Sequence, residues 1–124
     1  MTAKTAYQKV VETHTKKVLE DGRMVLGLDW VWGHEITTPN AILDAESRGV
    51  DVVFNPNKIK TMIDHISPAK DTLSAIQGKI VRDWSAKHKI EFLEVGSNGV
   101  CHAIIPEKGW VLPGNIGIMG DSHT

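Results

Sequence analysis

The segment Ile59-Lys60-Thr61-Met62-Ile63-Asp64-His65 decides how the rest of the chain is read. Ile59 to Ile63 carries the pattern of a short strand, and the two residues that follow place a carboxylate and an imidazole at its C-terminal end. Upstream, Thr37-Thr38-Pro39 offers a threonine N-cap and a proline in the first turn, which predicts a helix running to Arg48 and stopped by Gly49. Between them, Val50 to Phe54 is short and β-branched, and Asn55-Pro56-Asn57 is a turn. Further back, Met24 to Trp32 (MVLGLDWVW) predicts a strand or strand pair. Thr2 or Thr5 can cap a first helix through about Lys17, with Tyr7, Val10, Val11 and His14 on one face, before Asp21-Gly22 breaks it.

Downstream, Asp71 can cap a long helix in which Leu73, Ile76, Ile80, Val81 and Trp84 recur at helical spacing. Ile90 to Val95 predicts another strand, and Gly96-Ser97-Asn98-Gly99 a loop. Val100 to Ile105 is apolar, interrupted by His102, and Pro106 steers it away from helix. Val111-Leu112 and Ile116 to Met119 predict strands separated by a Pro113-Gly114 turn. Strands and helices alternate along the chain. That argues for an α/β fold with a largely parallel sheet. In such sheets ligands gather at the C-terminal strand ends. Asp64-His65 and Asp121-Ser122-His123 both lie there.

Composition narrows the function. The chain has 124 residues, 41% hydrophobic and 23% charged, which is the makeup of one globular domain. Lys+Arg 14 against Asp+Glu 15 leaves a net charge of -1. A chain so balanced has no general attraction for nucleic acid or an anionic membrane. No apolar run approaches the ~20 residues of a spanning helix, and Met1 to Lys9 has no signal-peptide core. One cysteine makes no internal disulfide, which fits a reducing cytoplasmic setting, and it holds no zinc or iron–sulfur centre by itself.

Six histidines are many for this length. His14 and His88 fall on predicted helices among charged neighbours and read as solvated. His65 beside Asp64 suits an acid–base pair, because a neighbouring carboxylate fixes the tautomer and orientation of the ring. His102 sits in an apolar segment, where a hydrogen-bonded core residue is the ordinary reading. Cys101 reads as a small buried side chain with nothing nearby to make a thiolate. His34-Glu35 follows a strand-ending glycine and reads either as a substrate-loop element or as a solvated turn. Asp121-Ser122-His123 has the residue types of a hydrolytic triad, but adjacent residues rarely reach relay geometry and no G-x-S-x-G elbow is present. Trp30, Trp32, Trp84 and Trp110 read as core or subunit-contact residues, since no basic stripe accompanies them.

Taken together, Val95-Gly96-Ser97-Asn98-Gly99-Val100-Cys101-His102, Ile105-Pro106-Glu107-x-Gly109, Leu112-Pro113-Gly114 and Gly120-Asp121-Ser122-His123-Thr124 resemble the aconitase superfamily. Within it the likeness is to the branch of 3-isopropylmalate dehydratase large subunits and homoaconitase-type enzymes. His34-Glu35-Ile36-Thr37-Thr38-Pro39, Asn55-Pro56-Asn57-Lys58 and Asp64-His65 agree in order and spacing, so the resemblance covers essentially all of the chain. It implies a three-layer α/β/α fold, here a single N-terminal piece (residues 1–124) of the first aconitase-type domain. It also implies a hydro-lyase that removes water from a 2-hydroxy di- or tricarboxylic acid and returns it at the neighbouring carbon, aided by a 4Fe-4S cluster.

Carried over by the same resemblance, His65 would protonate the leaving hydroxyl with Asp64 orienting it. His102 and Asp121 would form a second imidazole–carboxylate pair, Ser122 and His34 would contact substrate, and His123 would join the same shell. The cluster cysteines and the serine base of the family fall downstream of the last motif, so the resemblance implies that this chain binds no cluster alone and is inactive alone. The partners implied are the rest of the large subunit, a small swivelling subunit and the small-molecule 2-hydroxy acid. Two other readings stand beside it: a non-catalytic relic or regulatory module that binds a dicarboxylate or partner subunit, and a mononuclear metal site from His65, His102 and His123.

Overall fold

A computed structural model describes residues 3–97 and 99–124. Asn98, in the predicted glycine loop, lies outside the described residues. Four short strands, β3 (Trp30–His34), β4 (Ile59–Met62), β5 (Glu91–Leu93) and β6 (Gly117–Met119), form an all-parallel sheet in the order β5-β4-β3-β6. Ahead of it, α1 (Ala6–His14) leads into an antiparallel hairpin of β1 (Thr15–Val18) and β2 (Met24–Leu26). The crossovers carry α2 (Thr38–Ser47), α3 (Thr72–Lys87) and α4 (Cys101–Glu107).

Strand alternation sorts these helices into two layers. Thr61 and Ile63 face α3: Thr61 Oγ1 lies 2.6 Å from Ser85 Oγ, and a Cβ on Gly78 would sit 3.3 Å from Ile63. Gly33 faces α2 so closely that a Cβ there would come within 2.4 Å of Thr38 Oγ1. On the opposite face Trp32, Met62, Leu93 and Met119 pack with Cys101 and Ile105 of α4 and with Trp110. The three-layer α/β/α arrangement with a parallel sheet is therefore present, and both tryptophans of that core, Trp32 and Trp110, are buried as expected.

Several local expectations change. The first helix stops at His14 rather than Lys17. Thr13 and Thr15 turn their hydroxyls back onto the carbonyls of Val10 and Val11, and Lys17 and Val18 pair with Val25 and Met24 instead. Met24–Trp32 is a strand pair whose members join different sheets. Val50 to Phe54 forms no strand. Val52 and Phe54 are exposed, because β4 already has neighbours on both sides. The predicted apolar stripe of α3 is also displaced: Leu73 and Ile76 point outward, and the buried face is Ser74, Gly78, Val81 and Ser85. Small side chains let that helix lie close on β4.

The expectation that Pro106 keeps Val100 to Ile105 out of a helix is overturned as well. Residues Cys101–Glu107 are helical with the proline in the last turn. Burial of Cys101 and Ile105, one turn apart, outweighs the backbone hydrogen bond that the proline forgoes. Val111-Leu112 is a turn start, not a strand, closed by Asn115 N–H donating to the Leu112 carbonyl.

Candidate active site

Three strands end at one place. β3 ends in His34 with Glu35 just beyond it, Asp64 and His65 follow β4, and Gly120 to His123 follow β6. Thr37, at the start of α2, does not cap that helix with its side chain; its hydroxyl donates instead to the Gly120 carbonyl and ties the loop after β6 to the loop after β3.

Asp121 is the centre of the cluster. Its side chain is 2% exposed, and both carboxylate oxygens are surrounded by imidazoles. Oδ1 lies 3.1 Å from His65 Nε2 and 3.4 Å from His34 Nε2; Oδ2 lies 3.0 Å from His102 Nε2 and 3.7 Å from His123 Nδ1. The backbone N–H of His123 also donates to Oδ2 at 2.7 Å. That N–H, followed by the His102 ring, pulls the carboxyl down to about 2.

The imidazoles differ in surroundings. His34 is 1% exposed and stacks on His65 with ring centroids 4.0 Å apart. Burial lowers its pKa, and the facing His65 ring adds to that. Its Nδ1 accepts the Ile36 N–H, so the ring proton sits on Nε2, facing Asp121. His65 is one-third exposed, with Nδ1 3.4 Å from Asp64 Oδ2 and Nε2 on Asp121. Asp64 in turn accepts the Cys101 N–H at 3.1 Å, which connects this pair to the start of α4. His102 is not a core residue; α4 turns it outward, half-exposed, onto Asp121. His123 is 81% exposed. A cleft of about 500 Å³ opens over His34, Thr37, His65, Asp121 and Ser122.

All of the sequence-derived site residues (His34, Asp64, His65, His102, Asp121, Ser122 and His123) thus come together in one place. Two features were missed. One is Glu35, which is not a solvated turn residue but 1% exposed. Its Oε2 accepts the Asp64 N–H at 3.0 Å and its Oε1 the Ile66 N–H at 2.5 Å. The other is that Asp121 serves four rings rather than one; a single sequence contains no signal for that convergence.

The Asp-Ser-His string does not form a relay. Ser122 Oγ and Asp121 both approach the same ring nitrogen of His123, Nδ1, so no proton can pass in series across the ring. Ligand-capable atoms group as His102, Asp121 and His123, and separately as His34, Glu35 and His65. The imagined trio of His65, His102 and His123 is therefore split between two sets. A 4Fe-4S cluster does not fit the residues of this chain. Its one cysteine, Cys101, is wholly buried, and burial, reinforced by the Asp64 carboxylate, pushes the thiol up to about 12, away from the thiolate that iron requires.

Residues 8–124 match the aconitase family (aconitate hydratase). The chain belongs to the aconitase family. It is 52% identical over 121 residues to a 3-isopropylmalate dehydratase large subunit of Citrifermentans bemidjiense, covering 97% of this chain and 28% of that protein. It is 52% identical to one of Geobacter sulfurreducens (98% and 29%) and 42% identical to one of Thermoanaerobacter pseudethanolicus (97% and 29%). The chain thus spans less than a third of the length of these relatives and matches their N-terminal part. No helix among the described residues is long and apolar enough to cross a membrane.

Proposed function

We propose that these 124 residues are the N-terminal segment of an iron–sulfur hydro-lyase that dehydrates and rehydrates a 2-hydroxy dicarboxylic acid of the 3-isopropylmalate type. The observation that carries the reading is the Asp121 carboxylate with the rings of His34, His65 and His102 around it, at the C-terminal ends of parallel strands. The relatives' name supplies the substrate class.

In this reading His65 delivers a proton to the departing hydroxyl from its cleft-facing position. Asp121 holds its Nε2 at 3.1 Å, which leaves Nδ1, 3.4 Å from the Asp64 carboxylate, as the nitrogen that gives up the proton. His34, neutral and buried, stacks behind it and excludes water. Ser122 takes up polar groups of the substrate within the same cleft, and His102 does so from the other carboxylate oxygen of Asp121. The thiolates for a cluster, the remainder of the large subunit and the small subunit are contributed by other polypeptide, and no step through the cluster is assigned to residues of this chain.

The test is a fusion in which residues 1–124 replace the matching segment of the Geobacter sulfurreducens large subunit. The fusion is reconstituted anaerobically with iron and sulfide and assayed with the small subunit present. Dehydration of 3-isopropylmalate, abolished by His65→Ala, is the expected result. A fusion that folds and holds its cluster yet turns over no 2-hydroxy acid would sink the proposal. The isolated 124 residues are expected to take up no cluster and to show no activity.

A further inference from the structure

The mechanism proposed above uses His65 but leaves unexplained how its backbone is held. β4 ends at Met62, and Ile63 N–H makes a last bond to the Leu93 carbonyl. Beyond that point the chain leaves the sheet, and the amides of Asp64 and Ile66 have a side chain as acceptor instead of a neighbouring strand. That side chain is Glu35, 29 and 31 residues away, at the end of the adjacent strand. Its two oxygens take the two amides that bracket His65, one on each side. Glu35 is as buried as His34 beside it. A buried carboxylate is costly unless its lone pairs are filled, and here both oxygens are filled by main-chain N–H groups aimed at them.

We infer that Glu35 is a positioning residue: its carboxylate clamps the Asp64–Ile66 backbone to the end of β3 and so fixes the His65 ring between Asp64 and Asp121. It does not line the cleft, and although its carboxylate lies within 4.8 Å of the His34 and His65 ring nitrogens, the bonds it accepts come from the main chain on either side of His65. Its chemistry is specific, because only a carboxylate offers two equivalent acceptors to two N–H groups. Glutamine has the same shape but turns an NH₂ toward one of those donors, leaving a donor facing a donor. Aspartate keeps the charge but is one methylene too short to span both amides. The inference deepens the hydro-lyase reading, since positioning His65 matters for turnover only if that reading holds, but the clamp itself is tested without any activity.

The experiment is NMR on the 124-residue chain, in which through-hydrogen-bond couplings are sought from the Asp64 and Ile66 amide nitrogens to the Glu35 carboxylate carbon. Both couplings are expected in the unmodified protein, and their absence from a spectrum that shows backbone couplings in the sheet would overturn the clamp. In Glu35→Gln, amide exchange at Asp64 and Ile66 should accelerate by about tenfold or more, the effect of losing a charge-assisted bond. The His65 ring nitrogen signals should move from those of one fixed tautomer toward an average, while α3 amide shifts stay in place. His65 ring signals unchanged in a folded Glu35→Gln protein would refute the positioning role. If that variant does not fold, the couplings in the unmodified chain still decide. In the reconstituted fusion the same substitution should lower kcat more than it raises KM. A clamp confirmed by NMR with no turnover in the unmodified fusion would remove the hydro-lyase reading and leave the clamp standing.

Discussion

Asp29 and Asp121 hold the same chemical kit in two regions of the molecule. Each is a carboxylate that accepts a backbone N–H, from Ile116 at 2.8 Å and from His123 at 2.7 Å, and each has an imidazole in bonding distance. Asp29 stands just before β3 and Asp121 just after β6, so they mark opposite ends of the sheet. At Asp29 the single ring, His14, is closed on both sides: Nε2 meets Asp29 at 2.8 Å and Nδ1 the Val10 carbonyl at 2.8 Å. At Asp121 four rings converge, a cleft opens beside them, and His102 is half-exposed. The first arrangement straps α1 to the sheet. The second has unused bonding capacity facing solvent, as a reaction requires. A histidine–aspartate pair therefore acquires meaning from its position on the sheet and from the ring atoms left open, not from its composition.

The sharpest way to break this comparison is to remove each charge in turn. Asp121→Asn in the reconstituted fusion should lower kcat by about 10²–10⁴-fold, the range for loss of acid–base function, because the negative charge is lost and an NH₂ replaces one of the two oxygens on which His65 and His102 rest. Asp29→Asn should leave kcat within about twofold and act on stability alone. Steady-state kinetics of the two variants decide it: equal losses would mean that the two pairs are not different in kind.

Sequence reasoning reached the site better than it reached the fold around it. Asp64-His65, His102 and Asp121-Ser122-His123 were legible because each belongs to a short string, and strings survive in one dimension. The convergence of His34 on Asp121 depends on three strands ending together and is a property of the sheet order alone. A polar pair after a glycine has the composition of a turn, which hides the role of Glu35; only the two amides 29 and 31 residues away, which bond its carboxylate and not a neighbouring strand, reveal why it is buried there. On α3 only Val81 of the expected stripe is fully buried, while Leu73 and Ile76 face outward, since the contact with β4 selects small side chains beside it. His14 and His88 were read as solvated, yet each meets an aspartate, Asp29 and Asp51, that lies far from it in sequence.

Next in size comes a test of whether the two clusters communicate. β6 links them: Ile116 bonds Asp29 at its start, and Asp121 follows its end. Gly117, between them, has no room for a side chain, because a Cβ there would sit 2.0 Å from the buried Trp32 ring. Gly117→Ala should cost about 1–3 kcal/mol through overpacking, visible in urea midpoints. It should also disturb the NMR signals of both His14 and His102. A shift confined to one of them would show that the clusters are mechanically independent.

The smallest effect separates the two pairs by pH. The Val10 carbonyl, and then Asp29, raise the pKa of His14 above its ordinary 6.5. The Ile116 N–H, followed by His14, lowers that of Asp29 below its ordinary 3.8. A raised imidazole contributes stability that is complete below 6.5 and fades as pH rises through the folded value; a lowered carboxyl contributes above 3.8 and fades as pH falls through its folded value. The strap is therefore strongest between about pH 4 and 6.5. The Tm difference between the unmodified chain and His14→Ala should be largest in that window and shrink above it, a few degrees at most for a pair that is only part-buried. Buried His34 must behave oppositely, because its lowered pKa opposes protonation and its contribution is lost as pH falls through 6.5. In His34→Gln the Tm deficit relative to the unmodified chain should therefore shrink on acidification, where that of His14→Ala grows. Parallel pH profiles for the two variants would erase the distinction between strap and site.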